Sequence, residues 1–194
     1  MDTMEKLLYD TKQLMILRYP RFASELAAAN ISYRTNLKYH TAATDGKNVF
    51  FDPDYLAKLS ESDRLFLIAH ELMHIKFDHA YRLEDKNGEK RDSDVWNEAT
   101  DAIINANLER DGFRIKEGYV NKPEALNYSA EEFYQLLLDE KKSKELEQKN
   151  NNESGNQTNN ENGESNGQSS NDMNDGEGQH MGDDHSLWEE ALKD

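Results

Sequence analysis

The 194-residue chain contains no cysteine. That excludes disulfides and any structural zinc held by thiolates, so a metal site here must use His, Asp and Glu. Basic residues are scarce as well. Lys and Arg number 23 against 39 Asp and Glu, a formal net charge of −16, which argues against a phosphate backbone or an anionic membrane as partner. No apolar run approaches the roughly 18–20 residues needed to span a bilayer. The start, Met1-Asp2-Thr3-Met4-Glu5, is acidic and lacks the apolar h-region of a signal peptide. A soluble, cytoplasmic protein that engages neither nucleic acid nor membrane is expected.

Apolar residues are few too. They make up 36% of the chain against 32% charged, so part of it is expected to stay outside any core. Residues 1–140 alternate apolar and polar positions and read as one domain. Residues 141–178 are almost entirely Asn, Ser, Gly, Gln, Glu, Lys and Asp. Such a stretch buries too little to offset its ordering entropy and is expected to be a disordered, flexible linker. Apolar character returns in 179–194 at Met181, Leu187, Trp188 and Leu192. This short segment either docks back on the domain or begins a further region; the second is expected.

Within 1–140, Leu7, Leu8, Leu14, Met15 and Leu17 recur at helical spacing, and Pro20 limits that helix. Residues 31–39 and 48–51 read as two strands joined as a hairpin about Asp45-Gly46. Helices are expected over 61–81 with Ser60 as N-cap, over 94–110 capped by Ser93, and over 130–140 behind a Ser129/Glu132 capping box. The expected fold class is α+β: helix-rich, with a small antiparallel sheet.

The chemistry centres on His70-Glu71-Leu72-Met73-His74. On a helix, residues four apart differ by about 40° around the axis, so both imidazoles project side by side. That suits two ligands of one tetrahedral Zn2+. Glu71, about 100° from His70, can reach the metal's water without being a ligand and serve as general base. Leu65, Phe66, Leu67, Ile68, Leu72, Met73, Ile75 and Phe77 surround the motif. A helix apolar nearly all round is buried, and buried histidines need partners.

A catalytic zinc takes a third protein ligand. Asn97, Glu98, Asp101 and Asn105 form a polar stripe on the helix expected over 94–110. Asp101 is the expected third ligand, with Glu98 the alternative and the one not chosen orienting a histidine. His79 is a further alternative; it lies about 140° round the helix from His74 and could bind only if the helix ended before it. His180, Asp183, Asp184 and His185 read as a solvated turn ahead of a short capped helix, with a second metal or an approach to the zinc as the sharper alternative. Tyr39, His40 and Tyr81 could border a cleft, though ordinary packing accounts for each. An edge strand beside the site, here 48–51, could pair with an extended peptide as in many zincins.

The run His70-Glu71-x-x-His74-x-x-x-x-His79-x-x-Arg82, followed by Trp96-Asn97-x-Ala99-x-Asp101-x-x-Ile104-Asn105, resembles the zinc metallopeptidases whose H-E-x-x-H catalytic domain precedes a VWA-like domain. Ala43-Thr44-Asp45-Gly46-x-Asn48-Val49-Phe50-Phe51, Ala125 to Glu132, and Asp184-His185-Ser186-x-Trp188-Glu189 resemble further segments of that family. The resemblance covers about residues 30 to 140 and the last dozen or so. It implies a zincin-like fold, Zn2+ at His70 and His74, Glu71 as base, an aspartate ligand at Asp101, a protein or peptide substrate, and a VWA-like partner beyond this chain. The rival reading is a zinc-binding zincin-like adaptor without peptidase activity, partnering a VWA-like domain or an ATPase.

Overall fold

A computed structural model describes residues 2–115, 117–154, 185–188 and 192. Its first helix, α1 (Thr3–Arg18), opens with a reciprocal capping box: Glu5 N–H donates to Asp2 Oδ1 at 2.7 Å and Asp2 N–H to Glu5 Oε2 at 3.0 Å. Pro20 follows its end, as the sequence predicts, and starts a short 3-10 turn leading into α2 (Ala23–Ala28). Three strands and a short helix come next: β1 (Asn30–Tyr33), β2 (Ala42–Thr44), β3 (Asn48–Phe51) and α3 (Pro53–Lys58).

The small sheet is mixed, which corrects the antiparallel sheet expected from the sequence. Its order is β1-β3-β2, with β2 antiparallel and β1 parallel to β3. The turn at Asp45-Gly46 is real, but it joins β3 to the three-residue β2. Asp45 Oδ1 accepts from the N–H groups of Lys47 at 2.9 Å and Asn48 at 2.7 Å. Gly46 takes φ 88°, where a side chain would be strained. With its hairpin partner so close in sequence, β3 has one edge filled locally, and β1 takes the other in parallel. The run 31–39 therefore breaks after Tyr33, and the chain turns back through His40 at φ 51°. β3 is thus the central strand; β1 and β2 are the edges.

The long helices carry the rest. α4 (Glu61–Lys76) starts where Ser60 Oγ accepts from Asp63 N–H at 3.2 Å, and residues Leu65 to His74 are all buried. It stops five residues short of the expected Tyr81, because Asp78 turns left-handed at φ 55°. α5 (Ser93–Arg110) is capped by Asp92 rather than Ser93, through Asp92 Oδ1 and Val95 N–H at 3.1 Å. α6 (Ala130–Ser154) begins at the expected Ser129/Glu132 box. It runs past the expected end at 140, so the low-complexity stretch begins as helix, and its part from 155 lies outside the described residues.

Two large apolar cores and one smaller cluster form among the described residues. The first packs α1, the sheet and α4, with Met15, Phe22, Phe51, Phe66, Leu67 and Leu72, and takes Ile104 and Leu108 from α5. The second packs the other side of α5 against α6, with Trp96, Ala99, Ala102, Phe133 and Leu137, and includes Trp188 from the far end of the chain. α5 serves both cores. Two of its buried polar residues, Asp101 and Asn105, lie along the seam between them and face α4. No described helix is long and apolar enough to cross a membrane.

Candidate metal centre

The seam gathers the polar groups that two apolar cores would otherwise exclude. His70 and His74, one turn apart on α4, bring their Nε2 atoms to 2.9 Å. What faces what can be worked out. Asn105 Nδ2 donates to the Val120 carbonyl at 2.8 Å, which turns Asn105 Oδ1 toward His70 Nδ1, also at 2.8 Å. A carboxamide oxygen only accepts, so His70 Nδ1 carries the proton and His70 Nε2 presents a lone pair. His74 is backed by another imidazole: its Nδ1 lies 3.1 Å from His79 Nδ1, and either ring can be the donor.

From α5, Asp101 Oδ1 stands 3.2 Å from His74 Nε2 and 3.5 Å from His70 Nε2. A third imidazole joins them. His185 Nε2 lies 3.6 Å from the same oxygen. These four atoms all fall within 4.8 Å of one another. Donors about 2.0–2.2 Å from a tetrahedral ion stand about 3.3–3.6 Å apart; two of the three separations around Asp101 Oδ1, 3.5 and 3.6 Å, match that edge and the third, 3.2 Å, is just short of it. The two α4 nitrogens are closer. Two imidazoles of one helix and a carboxylate of the next fit a metal ion that prefers nitrogen and oxygen donors.

The protonation states fit it too. Burial pushes His74 well below its ordinary range, outweighing the raising effect of Asp101 and helped by repulsion from His185 and His70. Burial alone would raise Asp101, but His185 and the close His70 and His74 rings hold its carboxyl well below the usual carboxylate range. His79 is lowered to about 3 by burial and then by the nearby Arg82 charge. Neutral imidazole and ionised carboxylate are the forms that ligate metal.

The structure brings His70, His74 and Asp101 together. Glu71, also on α4, is fully buried and is not one of the four converging donors. Glu98 points elsewhere, paired with Lys122 at 2.8 Å. His79 stays behind His74, where the early end of α4 puts it; Trp96 Nε1–H donates to its carbonyl at 3.0 Å and so ties α5 to this turn. Arg82 closes the same corner, donating to Phe77 O at 2.8 Å and to both Glu131 oxygens at 3.0 and 2.6 Å. Tyr39 is exposed, His40 meets Asp52 at 3.2 Å, and Tyr81 lies against the Gly46 turn; none joins the group.

His185 is the correction to the sequence reading. The solvated turn expected there is buried instead: His185 is 7% exposed, its ring stacked 4.2 Å from that of Trp188 at an interplanar angle of 10°. His180, Asp183 and Asp184 lie outside the described residues. The signal was present in Leu187 and Trp188, two large apolar side chains beside a histidine in an otherwise polar tail. Asn105 was legible only as part of a stripe; its role as acceptor for a ring N–H needed the structure.

Comparison with known proteins agrees with this chemistry. Residues 3–192 match the family model described as "Putative metallopeptidase domain". No curated protein and no solved structure matches the chain.

Proposed function

The chain belongs to this metallopeptidase-domain family, and on that premise we propose that it is a zinc-dependent peptidase of the zincin type. His70, His74 and Asp101 hold the metal and Glu71 is the general base. The observation that carries the reading is the convergence of His70 Nε2, His74 Nε2 and Asp101 Oδ1 at 3.2–3.5 Å around the carboxylate oxygen, in a seam otherwise apolar on both sides.

A zinc ion held there would supply Lewis acidity, polarising a scissile carbonyl and acidifying water. The chain's own residues do the rest. Asn105 and His79 keep the two α4 imidazoles turned toward Asp101. Glu71 follows His70 by about 100° around α4, so its carboxylate lies beside the donors without being one of them. It takes the proton of the attacking water and returns it to the leaving amine. The substrate class is protein or peptide, and the working partner is a VWA-like domain, as the sequence resemblance implies, or an ATPase.

Elemental analysis of tag-free protein tests the metal. About one zinc per chain is expected in the wild type, with a clear loss in Asp101→Ala. No zinc in the wild type, even after reconstitution, would sink the reading. Glu71→Gln is expected to keep its zinc and lose about 10²–10⁴-fold of peptide hydrolysis. A Glu71→Gln protein with unchanged function would instead leave the adaptor.

A further inference from the structure

His185 has the donor geometry of a ligand but the wrong kind of support. His70, His74 and Asp101 stand on 16- and 18-residue helices. His185 stands on a three-residue 3-10 turn, His185–Leu187, at the far end of the chain. Yet its Nε2 is as far from Asp101 Oδ1, at 3.6 Å, as His70 Nε2 is at 3.5 Å. The carboxylate oxygen is therefore one corner, nearly equidistant from three imidazole nitrogens.

The segment is seated at two points, one on each side of the seam. Leu187, 6% exposed, sits with Leu37, Ala43 and Phe50 on the sheet side. Trp188, 1% exposed, belongs to the core between α5 and α6 and lies 5.1 Å from the His74 ring. The turn also packs on β2, an edge strand of the sheet. It occupies the fourth corner around the candidate metal and lies against that edge strand. A hydrolytic zinc keeps one position open, whereas a closed shell of four protein donors does no hydrolysis. An extended peptide would need that strand edge as well.

We propose that His185 is a fourth protein donor of the metal centre, carried in by the 185–188 segment, and that the fold described here is a latent, closed state opened when that segment leaves. This rests on the metal reading above. His185 is thus a latch residue that takes no part in the hydrolysis. While it is in place, Glu71 has no water to deprotonate; its withdrawal frees one corner and the β2 edge together.

The test uses the full chain loaded with Co2+, whose visible absorption reports coordination, in wild type and His185→Gln. Both should bind one cobalt. Acetohydroxamate, which needs open positions, should leave the wild-type spectrum unchanged and weaken the absorption of the variant as its coordination number rises. The variant should also cleave a generic peptide at least about 10-fold faster, the latched population having been removed. Equal responses to acetohydroxamate in the two proteins, or identical cobalt spectra, would overturn the latch while leaving the metal site standing. Failure of both to bind cobalt would instead bring down the metal reading, and the latch with it. Should His185→Gln not fold, the cobalt-loaded wild type decides alone: three hyperfine-shifted exchangeable imidazole N–H resonances are expected, and two would overturn the proposal.

Discussion

Three of the four converging groups and the remaining one are held in opposite ways. His70, His74 and Asp101 are fixed by helices, and each α4 imidazole has its outer nitrogen against a further buried side chain, Asn105 or His79. His185 is held by the stacking of its own ring on Trp188 and by the seating of two apolar side chains. A helix donates geometry that survives thermal motion; a docked turn donates geometry that lasts only while it is docked. The contrast teaches that burial alone does not rank the permanence of a site's parts. His185 and Asp101 are both 7% exposed, yet one belongs to the scaffold and the other to an attachment.

The largest effect should come from removing a helix-borne donor. His74→Ala is expected to abolish tight metal binding, read as metal per chain after dialysis, while His185→Gln keeps it. Equal losses would erase the contrast. Next in size, the two fully buried tryptophans should behave unequally. Trp96→Ala empties a site in the scaffold and should cost about 3–5 kcal/mol in chemical denaturation. Trp188→Ala should cost less, because the segment can undock, and should show mainly as faster proteolysis near the C-terminus. A Trp188→Ala loss as large as that of Trp96→Ala would make the segment part of the scaffold.

Asn105→Ala should leave the donors in place but release the His70 ring, weakening metal affinity about 10–100-fold in competition with a chelator. The smallest effect belongs to the Arg82–Glu131 clamp behind the site. Burial would raise Glu131, but the hydrogen bond from Arg82 lowers it below its ordinary 4.5. A carboxylate lowered in the folded state stabilises above its unfolded pKa and loses that contribution as pH falls through the folded one. The stability of wild type over Glu131→Gln should therefore be fully present above about pH 4.5 and fade as pH falls from there through the lower folded value. At this half-exposed pair it should stay within about 1 kcal/mol.

Much of this arrangement was legible in the residues. The buried helix carrying His70, Glu71 and His74 declares itself by apolar residues on every side, and the stripe on α5 by its i, i+4, i+8 spacing. Asp101 and Asn105 of that stripe both turn toward α4, one to the ring nitrogens and one to a ring N–H. Glu98 on the same stripe turns outward, a choice that depends on which way α5 is rotated in the fold. The sheet was misread because β2 has three residues, too few for alternation to show, and because parallel pairing leaves no local turn signal. His185 lies 84 residues from Asp101, and no local pattern links residues so far apart. Its neighbours Leu187 and Trp188 mark a docking point without saying where it docks.

The left-handed Asp78 has a consequence for traffic rather than for architecture. By ending α4 at Lys76 it folds His79 back behind His74, and with Asn105 and Trp96 it walls the inner side of the site. For a metal held as proposed, the side where His185 stands is closed by a short docked turn and not by a long helix, so the rate of metal exchange should follow the undocking of residues 185–188 and not the unfolding of the protein.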